Sequence, residues 1–180
     1  MLDIILIVLA AIAAIVVLLV IIVALQSADF RITRSATIAA PPADVFAQVN
    51  DFHNWNAWSP WAKIDPAMKQ TYEGPPAGAG ASYSWVGNSK VGEGAMAITE
   101  SQPNDRISIK LEFRKPFKAT NAAEFTFQSA DAQTVVTWTM TGKKNFITKA
   151  FGLVMSMDKM VGGMFEQGLA QMQAVVEAKK

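Results

Sequence analysis

The stretch RISIKLEFRKPFKATNAAEFTF, residues 106–127, decides the fold of this 180-residue chain. In its first half every second side chain is apolar, at Ile107, Ile109, Leu111 and Phe113. After the RKP link the same alternation resumes and runs to the end of the stretch. A repeat of two residues is typical of β-strands with one buried and one solvated face. The stretch therefore predicts two antiparallel strands joined by a short turn.

Similar alternating stretches lie on both sides of this pair. They are ASYSWV (81–86), GAMAIT (94–99) and TVVTWTM (134–140), and the turn signals VGNSKVG, SQPND and SADAQ separate them. Upstream, FRITRSATIA (30–39) predicts a first strand. The following APPADVFAQVNDF predicts a helix, because Pro41 and Pro42 suit a first turn. The order is one strand, a helical region and a meander of strands.

The last segment, residues 146–178, contains no proline and predicts a long helix. Its glycines predict a break or a close backbone approach, most of all at Gly162 and Gly163. Its apolar stripe at near-helical spacing, which includes Met164 and Phe165, needs a surface to cover. The apolar face of the sheet is that surface. The sequence thus predicts an α+β domain, with a curved antiparallel sheet wrapped around a long C-terminal helix.

The N-terminal segment from Ile4 to Leu25 is uncharged and apolar throughout and is long enough to cross a bilayer as a helix. A cleaved signal peptide would carry a basic leader and a small-residue cleavage site, whereas this chain begins MLD and leaves the segment through ALQSAD. We therefore predict a retained transmembrane anchor at residues 1–27 and a domain at residues 28–180. Arg31 and Arg34 follow the helix and no basic residue precedes it, which favours a single-pass cell-membrane protein with a cytoplasmic domain.

The composition excludes several classes of function. The formal net charge is +1 and basic residues are scattered, which argues against nucleic-acid binding. The chain has no cysteine and one histidine, His53, so thiolate chemistry is excluded and we predict no metal site and no cofactor. Its oligomeric state is not specified by the sequence.

Four segments together resemble the polyketide cyclase/dehydrase-like branch of the START-like (SRPBCC) superfamily. They are RSATIAAPPADVFAQVNDFHNWNAWSPW, the VGNSKVGEG turn, the FRKPF link and FGLVMSMDKMVGGMFEQGLAQM. The resemblance implies a helix-grip fold around a deep apolar cavity. Members of that superfamily carry lipids, sterols, hormones or polyketides, and some catalyse cyclisation or dehydration. Fold alone does not settle which of these applies.

Inward-facing aromatic, methionine and amide side chains are the candidate ligand contacts in such a cavity. We predict this set to be Trp55, Trp58, Tyr83, Trp85, Met96, Phe113, Asn121, Phe125, Trp138, Met160 and Met164. For the tryptophans of NDFHNWNAWSPW, which lie three residues apart, two interpretations stay open. They form either a packed cluster that closes the sheet or a cavity wall that touches the ligand.

Three functional hypotheses follow. The first is a membrane-anchored module that binds a lipid or another small hydrophobic molecule, with residues 55–76 as a moving lid. The second is a cyclase or dehydratase, which requires at least two of His53, Asn121, Arg34 and Glu93 to converge in the cavity. Within this set, Arg34 either faces the cavity, pairs inside the protein or turns outward at a bulge. The third hypothesis is a protein-partner or stress-related module whose groove binds a helix of the partner, for which an exposed apolar patch together with a collapsed cavity would be the sign.

Overall fold

The structure is a computed structural model that describes residues 1–178, apart from the side chain of Leu2. Its helices are α1 Leu2–Leu25, α2 Pro42–Asn50, α3 Trp55–Trp58, α4 Pro60–Ile64, α5 Phe146–Phe151 and α6 Met157–Glu177. Its strands are β1 Asp29–Ile38, β2 Lys69–Glu73, β3 Ser82–Val86, β4 Glu93–Gln102, β5 Arg106–Lys115, β6 Ala119–Ala130 and β7 Gln133–Lys143.

The strands form one seven-stranded antiparallel sheet in the order β1-β7-β6-β5-β4-β3-β2. Each strand from β2 to β7 pairs with its neighbour in sequence, which is the predicted meander, and β1 closes the order by pairing with β7. The predicted α+β helix-grip class is confirmed. The short edge strand β2 was not predicted.

The last helix, α6, crosses the concave face of the sheet and packs chiefly on β1. Its inner side buries Phe165, Leu169, Met172 and Val176. Each such side chain contributes about 1.5–3 kcal/mol when it is fully removed from water. The apolar stripe read from the sequence is therefore the surface that holds α6 on the sheet.

The predicted break in the C-terminal helix lies earlier than expected. It separates α5 from α6 at residues 152–156, where Ser156 caps α6 by accepting a hydrogen bond from the backbone N–H of Lys159. Gly162 and Gly163 lie inside α6 without interrupting it. The alternative expectation, a close approach, is confirmed at Gly162, because a Cβ there would overlap the guanidinium group of Arg34.

The helix α1 meets the domain at one end of the sheet, which we call the α1 end. There β1 begins at Asp29 and β7 ends at Lys143. Val23 is 4% exposed, and Lys149 Nζ of α5 lies 3.4 Å from the carbonyl oxygen of Ala24. The stretch Asp3–Leu25 is apolar, and its 23 helical residues span roughly 35 Å. This is enough for a membrane span, and a signal sequence has the same features.

Candidate functional site

The middle of the concave face is filled by stacked aromatic rings. The ring of Trp138 stacks on Phe165 at a centroid distance of 3.9 Å and on Phe125 at 4.8 Å. The ring centroids of Trp55 and Trp58 lie 4.6 Å apart, and both rings pack edge-on against Phe125 and Trp138. This arrangement supports the interpretation of the tryptophans as packing. As ligand contacts, Trp55, Trp58, Phe125 and Trp138 remain predictions.

Two indole groups also hold the segment that carries them to the backbone of α2 by hydrogen bonds. Trp55 Nε1 donates to the carbonyl oxygen of Val49, and Trp58 Nε1 donates to that of Gln48, both at 3.0 Å in buried surroundings. Farther along, β2 pairs with β3 over its whole length. Residues 55–76 are therefore held to the domain near both ends in this structure, and their role as a moving lid remains a prediction.

Toward the α1 end the concave face is covered less completely. Tyr83, Met96 and Leu111 lie side by side on β3, β4 and β5, with Trp85 and Phe113 in the adjoining row. Trp85 is buried, whereas Tyr83, Met96 and Phe113 are only half-buried. The uneven burial follows from the position of α6, which packs on β1 at the opposite edge of the sheet. We call this half of the concave face the trough.

Three buried polar atoms lie on this face without a hydrogen-bond partner among the described residues. They are Trp85 Nε1, Asn121 Oδ1 and Trp138 Nε1. The amide nitrogen of Asn121 has only a weak contact, 4.0 Å from the sulfur of Met140. A buried polar group without a partner costs about 1–3 kcal/mol. Of these atoms, Trp85 Nε1 and Asn121 Oδ1 lie in the rows of the trough and offer one N–H donor and one carbonyl acceptor to a molecule that enters it.

Burial also shows in the ionisation of Tyr83. Its surroundings raise the pKa of the phenol to about 12, because burial disfavours the phenolate. A neighbouring tyrosine, Tyr72, adds to this effect, and its ring centroid lies 5.2 Å away. Tyr83 is therefore a neutral hydroxyl at physiological pH.

The two methionines predicted from α6 differ in position. Met164 is half-buried, whereas Met160 is 57% exposed in the first turns of the helix. In this structure Met160 does not reach the interior, since the neighbouring Met157 and Val161 are the side chains of this part of α6 that pack against the core. Four half-buried residues that pack against the core here were not among the predicted contacts, Phe30, Val91, Met157 and Val161. Only Phe30 carried a signal, the alternation of the first strand.

Arg34 faces inward and pairs inside the protein, one of the outcomes left open by the sequence. The register of β1 with β7 is unbroken, so no bulge turns Arg34 outward. Its Nη2 lies 2.9 Å from Oδ2 of Asp158, and its Nε donates to Glu166. The guanidinium group lowers the pKa of the Asp158 carboxyl, and the two carboxylates raise the pKa of Arg34. Gly162 makes room for this arrangement.

The candidate catalytic residues do not converge. His53 is exposed, where its Nδ1 lies 2.7 Å from Asp51 and its ring stacks on Tyr72 at 4.0 Å. Glu93 pairs with Lys115, next to a register shift between β4 and β5. Arg34 lies on the edge strand β1, on the opposite side of the sheet from β2, which carries Tyr72. The condition set for a cyclase or dehydratase is not met by these residues.

Two hollows lie on the other, outer side of the sheet. The larger has a volume of about 710 Å³ and is lined by polar side chains such as Thr99, Thr139 and Thr141. The smaller lies beside the turn between β5 and β6, along Arg114 and Lys118. Neither has the enclosed apolar lining expected of the predicted cavity.

Comparison with solved structures shows the same fold in bacterial proteins. CV1439 from Chromobacterium violaceum is 16% identical, with a TM-score of 0.60 over 82% of this chain and 96% of its own. MLL2253 from Mesorhizobium loti is 14% identical, with a TM-score of 0.61 over 84% and 99%. Ms6760 from Mycobacterium smegmatis is 19% identical, with a TM-score of 0.58 over 83% and 92%.

No sequence match was found among curated proteins. The family model described as polyketide cyclase/dehydrase and lipid transport matches residues 29–177, from the first residue of β1 to the last residue of α6. This is the whole sheet together with the helix that packs on it. The chain therefore belongs to the polyketide cyclase/dehydrase and lipid transport family.

Proposed function

We propose that the chain is a membrane-anchored binding domain that holds a lipid or another small hydrophobic molecule in the trough. In this proposal residues 1–27 anchor a domain of residues 28–180 to the cell membrane by a single pass. The main observation in support of this proposal is that the concave face is covered unevenly. Its middle is sealed by stacked rings, whereas Tyr83, Met96 and Phe113 stay half-buried where α6 does not cover them.

The chemistry of the trough suits such a molecule. Its walls are aromatic and methionine side chains, which accept apolar chains of varied shape. The unpartnered Trp85 Nε1 can donate to an oxygen of the ligand, and the unpartnered Asn121 Oδ1 can accept from a hydroxyl group. Transport of lipids is also part of the family's description.

The anchor and the orientation belong to the same proposal. Arg31 lies near the start of β1, and Lys143 and Lys144 lie at the same end of the sheet. Basic residues beside a span favour the cytoplasmic side. A trough that opens near α1 would exchange a hydrophobic molecule with the bilayer over a short distance, so free diffusion of a loaded carrier is not needed.

The proposal is tested by mass spectrometry of the lipids that stay bound to the full chain after detergent extraction and washing. Met96→Trp places a larger ring in the trough. The matched control Ala97→Trp places the same ring on the outer face of the same strand. We expect one class of hydrophobic molecule to be enriched on the wild type and on Ala97→Trp and depleted on Met96→Trp. Identical lipid profiles in all three would refute ligand binding in the trough, since lipid held only by α1 does not respond to Met96.

A further inference from the structure

The segment of residues 146–155, which we call the α5 segment, is unusually apolar for a surface. None of the residues of α5 is buried. The exposed fractions of its large apolar side chains run from 46% at Leu153 to 87% at Val154, and the others are Phe146, Ile147, Phe151 and Met155. Contiguous apolar surface of this kind marks an interaction site.

The exposed apolar surface lies on one end of the domain. Outside α1, the exposed large apolar side chains of the described residues belong to segments at the α1 end. They include Phe117 in the turn between β5 and β6, Val86 at the end of β3 and Met160 near the start of α6. The opposite end of the sheet carries none of them. Whatever covers this surface must therefore approach from the side of α1.

The α5 segment also touches the end of α1 itself. Val23, in the last turn of α1, is buried, and Lys149 Nζ lies 3.4 Å from the carbonyl oxygen of Ala24. The span of roughly 35 Å exceeds the roughly 30 Å hydrocarbon layer. The last turn of α1 would then lie near the membrane surface, and the α5 segment would lie beside it at the same depth.

Basic side chains surround the apolar ones. Lys118 follows Phe117, Lys143 and Lys144 precede α5, and Lys159 lies in the first turn of α6. None of these four forms an ion pair within the described part of the chain, although Asp29 lies opposite Lys143 in the register of β1 and β7. Lysines around an apolar surface complement the anionic headgroups of a lipid leaflet.

We propose that the α1 end of the domain is a surface that contacts the bilayer. The apolar side chains of the α5 segment enter the leaflet in which α1 ends, and the surrounding lysines contact anionic headgroups. Interfacial helices of this kind bury their apolar face about 5–10 Å below the headgroups. The inference rests on the part of the proposed function that makes α1 a membrane span. It does not depend on a ligand in the trough.

The absence of cysteine from the chain permits single-site labelling of the full protein. Val154→Cys reports on the α5 segment, Ser129→Cys on the opposite end of the sheet and Ile12→Cys on α1. Each variant is labelled with an environment-sensitive fluorophore and reconstituted into vesicles of phosphatidylcholine and phosphatidylglycerol. Quenching is measured with nitroxide-bearing lipid and with iodide on both sides of the membrane. We expect lipid quenching and protection from iodide at positions 154 and 12, and the reverse at position 129.

Each other outcome overturns the inference in a different way. Suppose that iodide quenches the label at 154 while the label at 12 is protected from iodide and quenched by lipid. The membrane span of α1 is then supported, and the contact of the α5 segment with the bilayer is refuted. If the label at 12 is also open to iodide, the membrane span itself fails. Protection at 154 without lipid quenching would mean that a protein surface covers the segment. Leaving out phosphatidylglycerol should reduce lipid quenching at 154 but not at 12, and unchanged quenching would refute the role of the lysines.

Discussion

Replacing Gly163 by alanine should stabilise the domain, and replacing its neighbour Gly162 should not. Both glycines lie in the interior of α6. No atom outside the helix lies within 4 Å of a Cβ at Gly163, so alanine there gains helix propensity without a clash. The gain is about 0.5–1 kcal/mol in the free energy of unfolding. At Gly162 a Cβ would overlap the guanidinium group of Arg34 and push it away from Asp158.

The assay is urea unfolding of the full chain in detergent micelles, followed by tryptophan emission. For a slope of about 1–3 kcal/mol/M, Gly163→Ala should raise the midpoint by roughly 0.2–1 M. We expect Gly162→Ala to lower the midpoint below that of the wild type. In an Arg34→Ala background the obstacle is gone, so Gly162→Ala should then stabilise as Gly163→Ala does. Equal stabilisation by both substitutions in the wild-type background would refute the assigned role of Arg34.

Three further predictions concern the core and two titrating groups. Phe165→Ala should cost about 3–5 kcal/mol in unfolding free energy because it removes a buried ring, whereas Phe151→Ala at an exposed ring should stay within about 0.5 kcal/mol, as urea midpoints would show. The pKa of Asp158 is lowered by Arg34, so its contribution to stability is present above the ordinary aspartate pKa of about 3.9 and is lost as the pH falls through the lower folded-state pKa. In acid titrations the free energy of unfolding of Asp158→Asn should therefore fall less than that of the wild type. The pKa of Tyr83 is raised to about 12, so stability from this group is complete below about pH 10 and declines as the pH rises toward 12. Absorbance titration of wild type against Tyr83→Phe should show one phenol ionising late, and ionisation of all tyrosines near pH 10 would contradict the burial of this side chain.

Most of the fold could be predicted because the strands carry their burial pattern in the sequence. In β5 each second residue from Ile107 to Phe113 is apolar, and each of these is buried or half-buried in the structure. The strand β2, KQTYE, was not predicted because its sequence lacks such a pattern. Its inward side chains are Gln70 and Tyr72, so no apolar alternation marks it, and only pairing with β3 makes it a strand. Local pattern detects strands that bury apolar faces and misses polar edge strands.

The position of the helix break depended on contacts that no local pattern contains. Two adjacent glycines predicted a break at Gly162 and Gly163, but Gly162 is there to let Arg34 of the distant strand β1 approach the helix. The observed break needs only a capping side chain, Ser156, and a short apolar stretch that the domain leaves uncovered. A glycine that serves a tertiary contact cannot be distinguished by sequence alone from one that ends a helix.

The candidate site was predictable as a set of inward-facing side chains, but its division into a sealed and an open half was not. The alternation shows that Phe125 and Trp138 face the same side as Met96 and Phe113. It does not show that α6 lies over β1 and leaves β3–β5 less covered. That division is set by helix packing between segments far apart in the chain.

The two proposals meet at the α5 segment, because it lies at the α1 end and leads into the start of α6. α5 has no buried residue, so little packing opposes its movement away from the domain, whereas the aromatic stack around Trp138 and Phe165 resists movement of the rest of α6. Local opening is expected where buried apolar contacts are few. If the apolar side chains of this segment lie in the leaflet, opening transfers them from one apolar surface to another rather than into water. The trough lies toward the same α1 end, so its less covered side would then face lipid rather than water, which is the direction of access that a membrane-anchored carrier of hydrophobic molecules requires.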